Sequence, residues 1–254
     1  MWYSIKSIIT PETLAGAFSL QQNESASLFA GGSYLVAEKN PSIHTLIDIN
    51  GLIGHGVTAS HEEVRILAGA SLQTFFDTVK PINPNCRLLD GVKSSCPSKN
   101  IRNQRTFGGE AGQNRPNSDI MVFLHAVNAE LTVHTDSESI IPIRDWDGNG
   151  IVTQIAYYPN KINGIELQRF SPIPSASAIV IVGGIRRNGQ FEFAIGGTAN
   201  TIQTFNVMAD DWTNMSASNI AKEAVSQFIM DHFGSLNYKE SLINTAVKRV
   251  GDAL

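Results

Sequence analysis

Two short glycine segments, well separated in the sequence, are the part of the chain best suited to binding chemistry. In the first, Gly31-Gly32 is followed by Ser33; in the second, Gly108-Gly109 is preceded by Thr106. Because glycine has no Cβ, it allows positive φ and lets the main chain approach a ligand closely. Successive backbone N–H groups in such turns form an anion site, to which a hydroxyl adds a donor. Two such turns facing one another would suit a diphosphate, whereas a lone Gly-Gly step is commonly only a tight turn.

The first segment is predicted to follow a strand. Thr10, Pro11 and Glu12 have the residue types of a helix start, with Thr10 as N-cap. Residues 27–30 then read as a strand that ends in the first glycine segment. Further on, Ser71 is expected to cap a short helix that runs to Phe76, and residues 80–100 are expected to be irregular.

The remaining pattern predicts alternating strands and helices. Apolar spacing indicates strands at 46–49, 130–134 and 150–157 and a helix at 121–129. Asn188-Gly189 indicates a hairpin turn between strands at 178–183 and 190–195. Two helices, at 218–233 and 239–254, are expected to end the chain.

Composition describes an ordered protein. The chain has 254 residues, of which 42% are hydrophobic and 17% charged, and a formal net charge of −4. Dispersed basic residues and a negative charge do not favour nucleic-acid binding. No apolar run approaches the ~20 residues of a membrane helix. The start of the chain lacks the features of a secretory signal, so we expect a cytoplasmic protein.

Only two cysteines are present, Cys86 and Cys96. A [2Fe–2S] cluster needs four thiolates, so this chain cannot hold one alone. A disulfide is disfavoured in a cytosolic compartment. We therefore expect plain thiols in a loop.

One segment imitates a metal site. Asp145, Asp147, Asn149 and Gly150 match the first half of a calcium loop, but Ala156 stands where its final Glu belongs. A polar β-turn is the better interpretation. The six histidines show no metal-binding spacing, and no Rossmann, P-loop or nucleophile-elbow motif is present.

The order AGGSYL, LIDI, IRNQRTFGGE and NSDI resembles the FAD-binding (medium) subunit of the molybdenum hydroxylase family, the xanthine dehydrogenase and carbon monoxide dehydrogenase type. Glu110 stands where many relatives carry Asn, which is similar to purine-type or selenate-associated flavin subunits. The resemblance implies an α+β fold: a non-Rossmann FAD module of two subdomains over residues 1–158 (about 1–56 and 57–158). A small α+β C-terminal domain of the CO dehydrogenase flavoprotein type would follow at 159–254.

The resemblance also implies which residues contact FAD, and it implies no catalytic acid–base residue and no metal ligand in this chain. The expected FAD contacts are Phe29, Ala30, Gly31, Gly32, Ser33, Tyr34, Leu35, Thr106, Phe107, Gly108, Gly109, Glu110 and Asp119. Asp119 would bind the sugar alcohol of the flavin, although with Ser118 it could instead cap a helix.

Several positions depart from the family pattern. Many relatives have Thr-Asp where this chain has Ser33-Tyr34, so Tyr34 could border the cofactor or simply pack. Arg102, Asn103 and Arg105 could place positive charge beside a diphosphate, or form a solvated or partner-facing surface. Arg169 could stand in for a basic residue near the flavin, and the segment Pro172–Pro174 suggests a rerouted loop.

The resemblance implies an electron-transfer subunit. Partners would be a small subunit with [2Fe–2S] clusters and a large subunit with the molybdopterin cofactor, and NAD is one possible acceptor. Purine is the expected substrate class of the complex. A non-catalytic assembly subunit without productive flavin and a free-standing flavin oxidoreductase are the alternatives.

Overall fold

The computed structural model describes residues 2–173 and 176–254, which form three β-sheets with helices packed on them. We call the parts built on the three sheets the first lobe (residues 2–56), the second lobe (57–158) and the third lobe (159–254). Strand and helix contents confirm the predicted α+β class.

The first lobe holds a three-stranded parallel sheet. Its elements are β1 (Ser7–Ile9), α1 (Leu14–Gln21), β2 (Ala26–Phe29), α2 (Ser33–Glu38) and β3 (Thr45–Asp48), with strand order β1-β3-β2. In register, Ile8 and Ser27 both pair with Leu46. The predicted start of α1 at Thr10 is wrong: Thr13 is the N-cap, and its hydroxyl accepts a hydrogen bond from Gly16 N at 3.1 Å. The helix starts where a hydroxyl satisfies its first amides, one turn after the proline.

The second lobe holds a five-stranded antiparallel sheet of order β4-β5-β8-β6-β7. Its strands are β4 (Val57–Ala59), β5 (Val64–Leu67), β6 (Glu130–His134), β7 (Glu138–Pro142) and β8 (Ile151–Tyr157). Its helices are α3 (Leu72–Val79), α4 (Arg87–Ser95), α5 (Lys99–Arg102), α6 (Phe107–Gln113) and α7 (Asp119–Val127). Ser71 caps α3, as predicted.

Helix α4 corrects the prediction of irregular chain over residues 80–100. Its Leu88, Leu89 and Val92 are buried, because their spacing places them on one side of the helix. Cys86 and Cys96 are free thiols, as expected, and lie buried in the irregular chain directly before and after this helix. Nine helical residues separate the thiols by roughly 14 Å, too far for a disulfide.

The third lobe is a four-stranded antiparallel sheet of order β12-β11-β10-β9 covered by two helices. Its elements are β9 (Gly164–Phe170), β10 (Val180–Arg187), β11 (Gln190–Gly197), β12 (Gln203–Met208), α8 (Asn214–Ala224) and α9 (Leu236–Ala253). The hairpin prediction is confirmed: Asn188 and Gly189 have φ of 50° and 75° between β10 and β11.

Helix α8 ends earlier than the predicted limit at Phe233. A short 3₁₀ turn follows at Val225–Gln227, after which Phe228 forms an isolated bridge with Ala199. The buried Lys239 then binds Ile229 O and the carboxylate of Asp231. These contacts replace the helical hydrogen bonds of the segment.

The lobes share hydrophobic cores. Helix α7 packs on β10 and β11, and one core cluster includes both Leu124 and Ile181. A smaller cluster joins Ala17 and Ile47 of the first lobe to Ala68 and Ile151 of the second. The predicted domain boundaries remain a prediction. Among the described helices, none has the length and apolar run required to cross a bilayer.

Candidate functional site

The first glycine segment forms the turn between β2 and α2. Gly32 has φ of 65°, the left-handed region that glycine accepts without strain. A Cβ on Gly31 would lie 1.7 Å from the carbonyl oxygen of Gln104, just before the second segment. The two glycine segments therefore meet, and the close approach requires glycine at position 31.

The second glycine segment is the start of a helix and not a turn with positive φ. Thr106 is the N-cap of α6, and its Oγ1 accepts a hydrogen bond from Gly109 N at 3.1 Å. Gly108 faces Ala68, whose Cβ would lie 2.7 Å from an added side chain. The nearest neighbour of a Cβ on Gly109 is Thr106 Oγ1 at 3.0 Å. An added Cβ at Gly109 would thus meet a single protein atom, whereas Gly108 serves packing.

A cavity of about 290 Å³ lies between the first and second lobes beside these segments. It continues into a narrow cavity of about 60 Å³, since Leu28, Ala30, Gly109 and Gln113 line both. A polar cavity of about 100 Å³ adjoins the narrow one, since Arg105 and Arg115 line both. We call the three cavities together the groove. The groove is lined by most of the predicted site residues, namely Ala30, Gly31, Gly32, Ser33, Tyr34, Leu35, Thr106, Gly108, Gly109, Glu110 and Asp119.

Two predicted contact residues serve packing. Phe107 is fully buried, and its ring centroid lies 4.9 Å from that of Phe75. The ring of Phe29 lies where a Cβ of Gly32 would be, 2.4 Å from its nearest atom. Neither residue is among those that line the groove, so a contact of either with the cofactor stays a prediction.

Glu110 is at the centre of a charged cluster. Its side chain is 3% exposed, and its carboxylate accepts hydrogen bonds from Arg105 Nε and from Ser118 Oγ, the latter at 2.7 Å. The guanidinium of Arg115 lies 3.6 Å away. Both carboxylate oxygens thus have protein partners, so a contact of Glu110 with a cofactor stays a prediction.

Asp119 is the first residue of α7, whose N-cap is Ser118. Its side chain is 1% exposed, faces Arg169 Nε at 3.1 Å and accepts a hydrogen bond from Ser95 Oγ at 2.9 Å. Burial raises the pKa of this carboxyl, against the opposing charge of Arg169. Ser118, and not Asp119, caps the helix. The ion pair between Asp119 and Arg169 connects the second and third lobes in the wall of the polar cavity. Of the segment Pro172–Pro174, Pro174 lies outside the described residues.

Arg115 is a residue that the sequence analysis missed. It lies in the loop after α6, and its guanidinium carbon is 4.2 Å from the centroid of the Tyr34 ring. The contact spans the narrow part of the groove, from the second lobe to the first. A single arginine in a loop gives no periodic or spacing signal, so the sequence contained nothing that marked it.

The calcium-like segment is a polar turn, as predicted. Asn149 N donates to Asp147 Oδ1 at 2.8 Å, Gly148 and Gly150 have positive φ, and strand β8 follows directly. Within residues 2–173 and 176–254, no group of three His, Cys, Asp or Glu side chains is gathered for a metal ion.

Comparison with known proteins gives the class. Residues 3–150 match the family model described as the FAD binding domain in molybdopterin dehydrogenase. The match covers more than half of the chain, and the chain belongs to this family. FAD is therefore the cofactor of the fold, and the glycine segments, Thr106 and the groove beside them fit a dinucleotide, because Gly109 lines both the larger and the narrow cavity and an added Cβ would meet only one protein atom, Thr106 Oγ1.

Solved structures agree on the fold over nearly the whole chain. Carbon monoxide dehydrogenase from Hydrogenophaga pseudoflava, lacking the Mo-pyranopterin moiety of its molybdenum cofactor, is 19% identical with a TM-score of 0.78, covering 98% of this chain and 96% of that chain. Quinoline 2-oxidoreductase from Pseudomonas putida 86 is 16% identical with a TM-score of 0.74, covering 97% and 96%. Reconstituted CO dehydrogenase from Oligotropha carboxidovorans is 16% identical with a TM-score of 0.73, covering 98% and 96%. Among curated protein sequences, no significant match was found.

Proposed function

We propose that this chain is the FAD-carrying electron-transfer subunit of a molybdenum hydroxylase. The observation that carries the proposal is the junction of the two glycine segments at one groove in a chain of the FAD-binding family. Fold likeness to carbon monoxide dehydrogenase and quinoline 2-oxidoreductase chains over both FAD-module and C-terminal lobes supports it.

We assign the three parts of the groove to three consecutive parts of FAD: the adenosine, the diphosphate and the sugar alcohol of the flavin. The larger cavity between the first and second lobes suits the nucleoside end. Gly31, Gly32 and Ser33, with Thr106 and Gly109, would hold the diphosphate through main-chain amides and hydroxyls. The polar cavity at Asp119 and its neighbours would hold the sugar alcohol of the flavin through charge-assisted hydrogen bonds.

When bound, FAD supplies the redox chemistry, since a flavin accepts single electrons and can pass on a hydride. The chain's own contribution is binding and orientation. Its paired charges in the groove wall, Asp119 with Arg169 and Glu110 with Arg105, fix the wall that faces the ligand. No side chain is required to act as an acid or base in this role.

The partners proposed for the chain are a small subunit with [2Fe–2S] clusters and a large subunit with the molybdopterin cofactor. Two cysteines, both buried, cannot supply the ligands of such a cluster. NAD or another acceptor would take the electrons. Purine is the proposed substrate class, on the resemblance of the RNQRTFGGE segment to purine-type subunits.

Cofactor content is the first test. The purified full chain should be yellow and release FAD on denaturation, and a colourless chain that does not bind added FAD would refute the proposal. Co-expression with the genes of its iron–sulfur and molybdopterin partners tests the rest. Activity on hypoxanthine or xanthine is expected, and activity on CO alone would contradict the purine assignment.

The rival function is an assembly subunit without productive flavin. The engagement of both carboxylate oxygens of Glu110 by Arg105 and Ser118 favours it, because a predicted cofactor contact is then occupied by protein groups. Bound FAD that dithionite reduces but a reduced iron–sulfur partner does not would support the rival. Reduction by both would support electron transfer.

A further inference from the structure

The charges around the narrow part of the groove do not cancel. Arg105 and Arg115 share a single buried carboxylate, that of Glu110. The acidic residue next in influence on Arg115 is Glu38, which is exposed and therefore screened by water. Two guanidinium groups and one buried carboxylate leave one positive charge in excess at this point of the groove.

Glu110 pairs with Arg105 in preference to Arg115, because Arg105 Nε donates a hydrogen bond to its carboxylate while the guanidinium of Arg115 lies 3.6 Å away. The carboxylate of Glu110 raises the pKa of Arg105, although burial opposes it. For Arg115, burial lowers the pKa, the charge of Arg105 lowers it further, and Glu110 compensates only in part. In the described part of the chain, the buried Nε of Arg115 also has no hydrogen-bond partner. An anion in the groove would supply the compensation that Arg115 lacks.

Arg115 is held at the first glycine segment. Its guanidinium lies on the ring of Tyr34, 4.2 Å from the centroid, and Tyr34 directly follows Gly32 and Ser33. Ser118 N donates a hydrogen bond to Arg115 O at 3.1 Å, and the carbonyl of Pro116 accepts one from Gly197 N at 2.8 Å. The backbone of the loop is therefore fixed, and the side chain lines the same narrow cavity as the glycine amides.

We propose that Arg115, held against the ring of Tyr34, binds the diphosphate of the dinucleotide and makes the groove select ligands that carry one. The proposal rests on the proposed FAD function. Tyr34 is a positioning residue in it, because an aromatic face holds a guanidinium without neutralising its charge. The family resemblance leads us to expect an aspartate where this chain has Tyr34. Its carboxylate would pair with Arg115 and remove the excess positive charge.

Binding of ADP and adenosine to the full-length apo chain tests the proposal, because the two ligands differ only in the diphosphate. Titration calorimetry of Arg115→Gln should show ADP affinity weakened roughly tenfold to a hundredfold, with adenosine affinity unchanged. FAD affinity should fall with that of ADP. Arg65→Gln, which removes an exposed arginine on β5, is the matched control and should leave all three affinities unchanged.

Equal ADP affinity in Arg115→Gln and the parent would overturn the proposal, as would an equal loss for ADP and adenosine. If Arg115→Gln does not fold, the Tyr34 pair of variants decides. Tyr34→Phe should bind ADP as the parent does, while Tyr34→Leu should lose several-fold; equal affinities in both would overturn the role of the ring. A parent chain that binds neither FAD nor ADP would refute the proposed function itself. If the parent binds both ligands, a negative result with the variants refutes only the role of Arg115.

Discussion

Replacing Gly109 by Ala should separate cofactor binding from folding. Gly109 is in the first turn of α6, and its added Cβ would meet only Thr106 Oγ1 at 3.0 Å. Alanine is favoured over glycine in a helix by about 1 kcal/mol, and the tight contact offsets part of this gain. We expect the free energy of unfolding in urea to stay within about 1 kcal/mol of the parent value.

Gly109 lines both the larger and the narrow cavity, so the same methyl group would add volume to the wall that the two cavities share. Insertion of a methyl group into a filled site costs about 1–3 kcal/mol, which is roughly a 5- to 150-fold loss in Kd. Fluorescence titration of the apo chain with FAD measures this loss. Gly16→Ala is the matched control, because Gly16 is the third residue of α1 and its Cβ would lie 3.2 Å from Oγ1 of the N-cap Thr13, while Gly16 lines none of the three cavities. FAD affinity in Gly109→Ala equal to that of Gly16→Ala would refute the assignment of this wall to the cofactor.

Three further outcomes follow from buried groups. Glu110→Gln leaves the Arg105 guanidinium buried without its carboxylate, so urea unfolding should show a loss of about 3–5 kcal/mol; an unchanged midpoint would contradict the ion pair. Burial lowers the pKa of His125 to about 4 from the usual 6.5. The unfolded chain therefore takes up the proton first, and the free energy of unfolding falls by about 3 kcal/mol as the pH drops from 6.5 to 4. His125→Leu should flatten this pH dependence, and an equally steep curve would argue against the lowered pKa. Cys86 and Cys96 are buried, and burial raises the pKa of both thiols, so a disulfide reagent should label them only after unfolding; rapid labelling of the native chain would contradict their burial.

Much of the fold could be predicted because its signals are local. Ser71 as an N-cap and Asn188-Gly189 as a hairpin turn depend on a few neighbouring residues, and both are found. Helix α4 was missed because glycine, proline and serine around it hide a short apolar side. The end of α8 was missed because the bridge between Phe228 and Ala199 and the buried amine of Lys239 are long-range contacts.

The site could be predicted only as a pair of glycine segments. Their meeting depends on the approach of Gly31 to Gln104, which no local pattern records. The ion pairs of the groove join residues far apart in sequence, as between Asp119 and Arg169. Because the sequence does not show which charges are paired, each charged residue considered alone was compatible with several roles. The role proposed for Arg115 depends on its contact with the ring of Tyr34, which the fold brings about and the sequence does not record.

The four glycines of the two segments meet different physical requirements, and this decides what their replacement can reveal. Gly31 and Gly108 allow the main chain to pack on Gln104 and Ala68, and Gly32 takes a positive φ above the ring of Phe29. Substitution at these three positions disturbs the protein whether or not a ligand is bound, since strain or collision arises inside the fold. Gly109 alone of the four faces the groove with little protein in the way. Loss of FAD after a change at Gly32 would therefore say little about cofactor contact, while loss after a change at Gly109 in a stably folded chain would identify the surface that the cofactor touches.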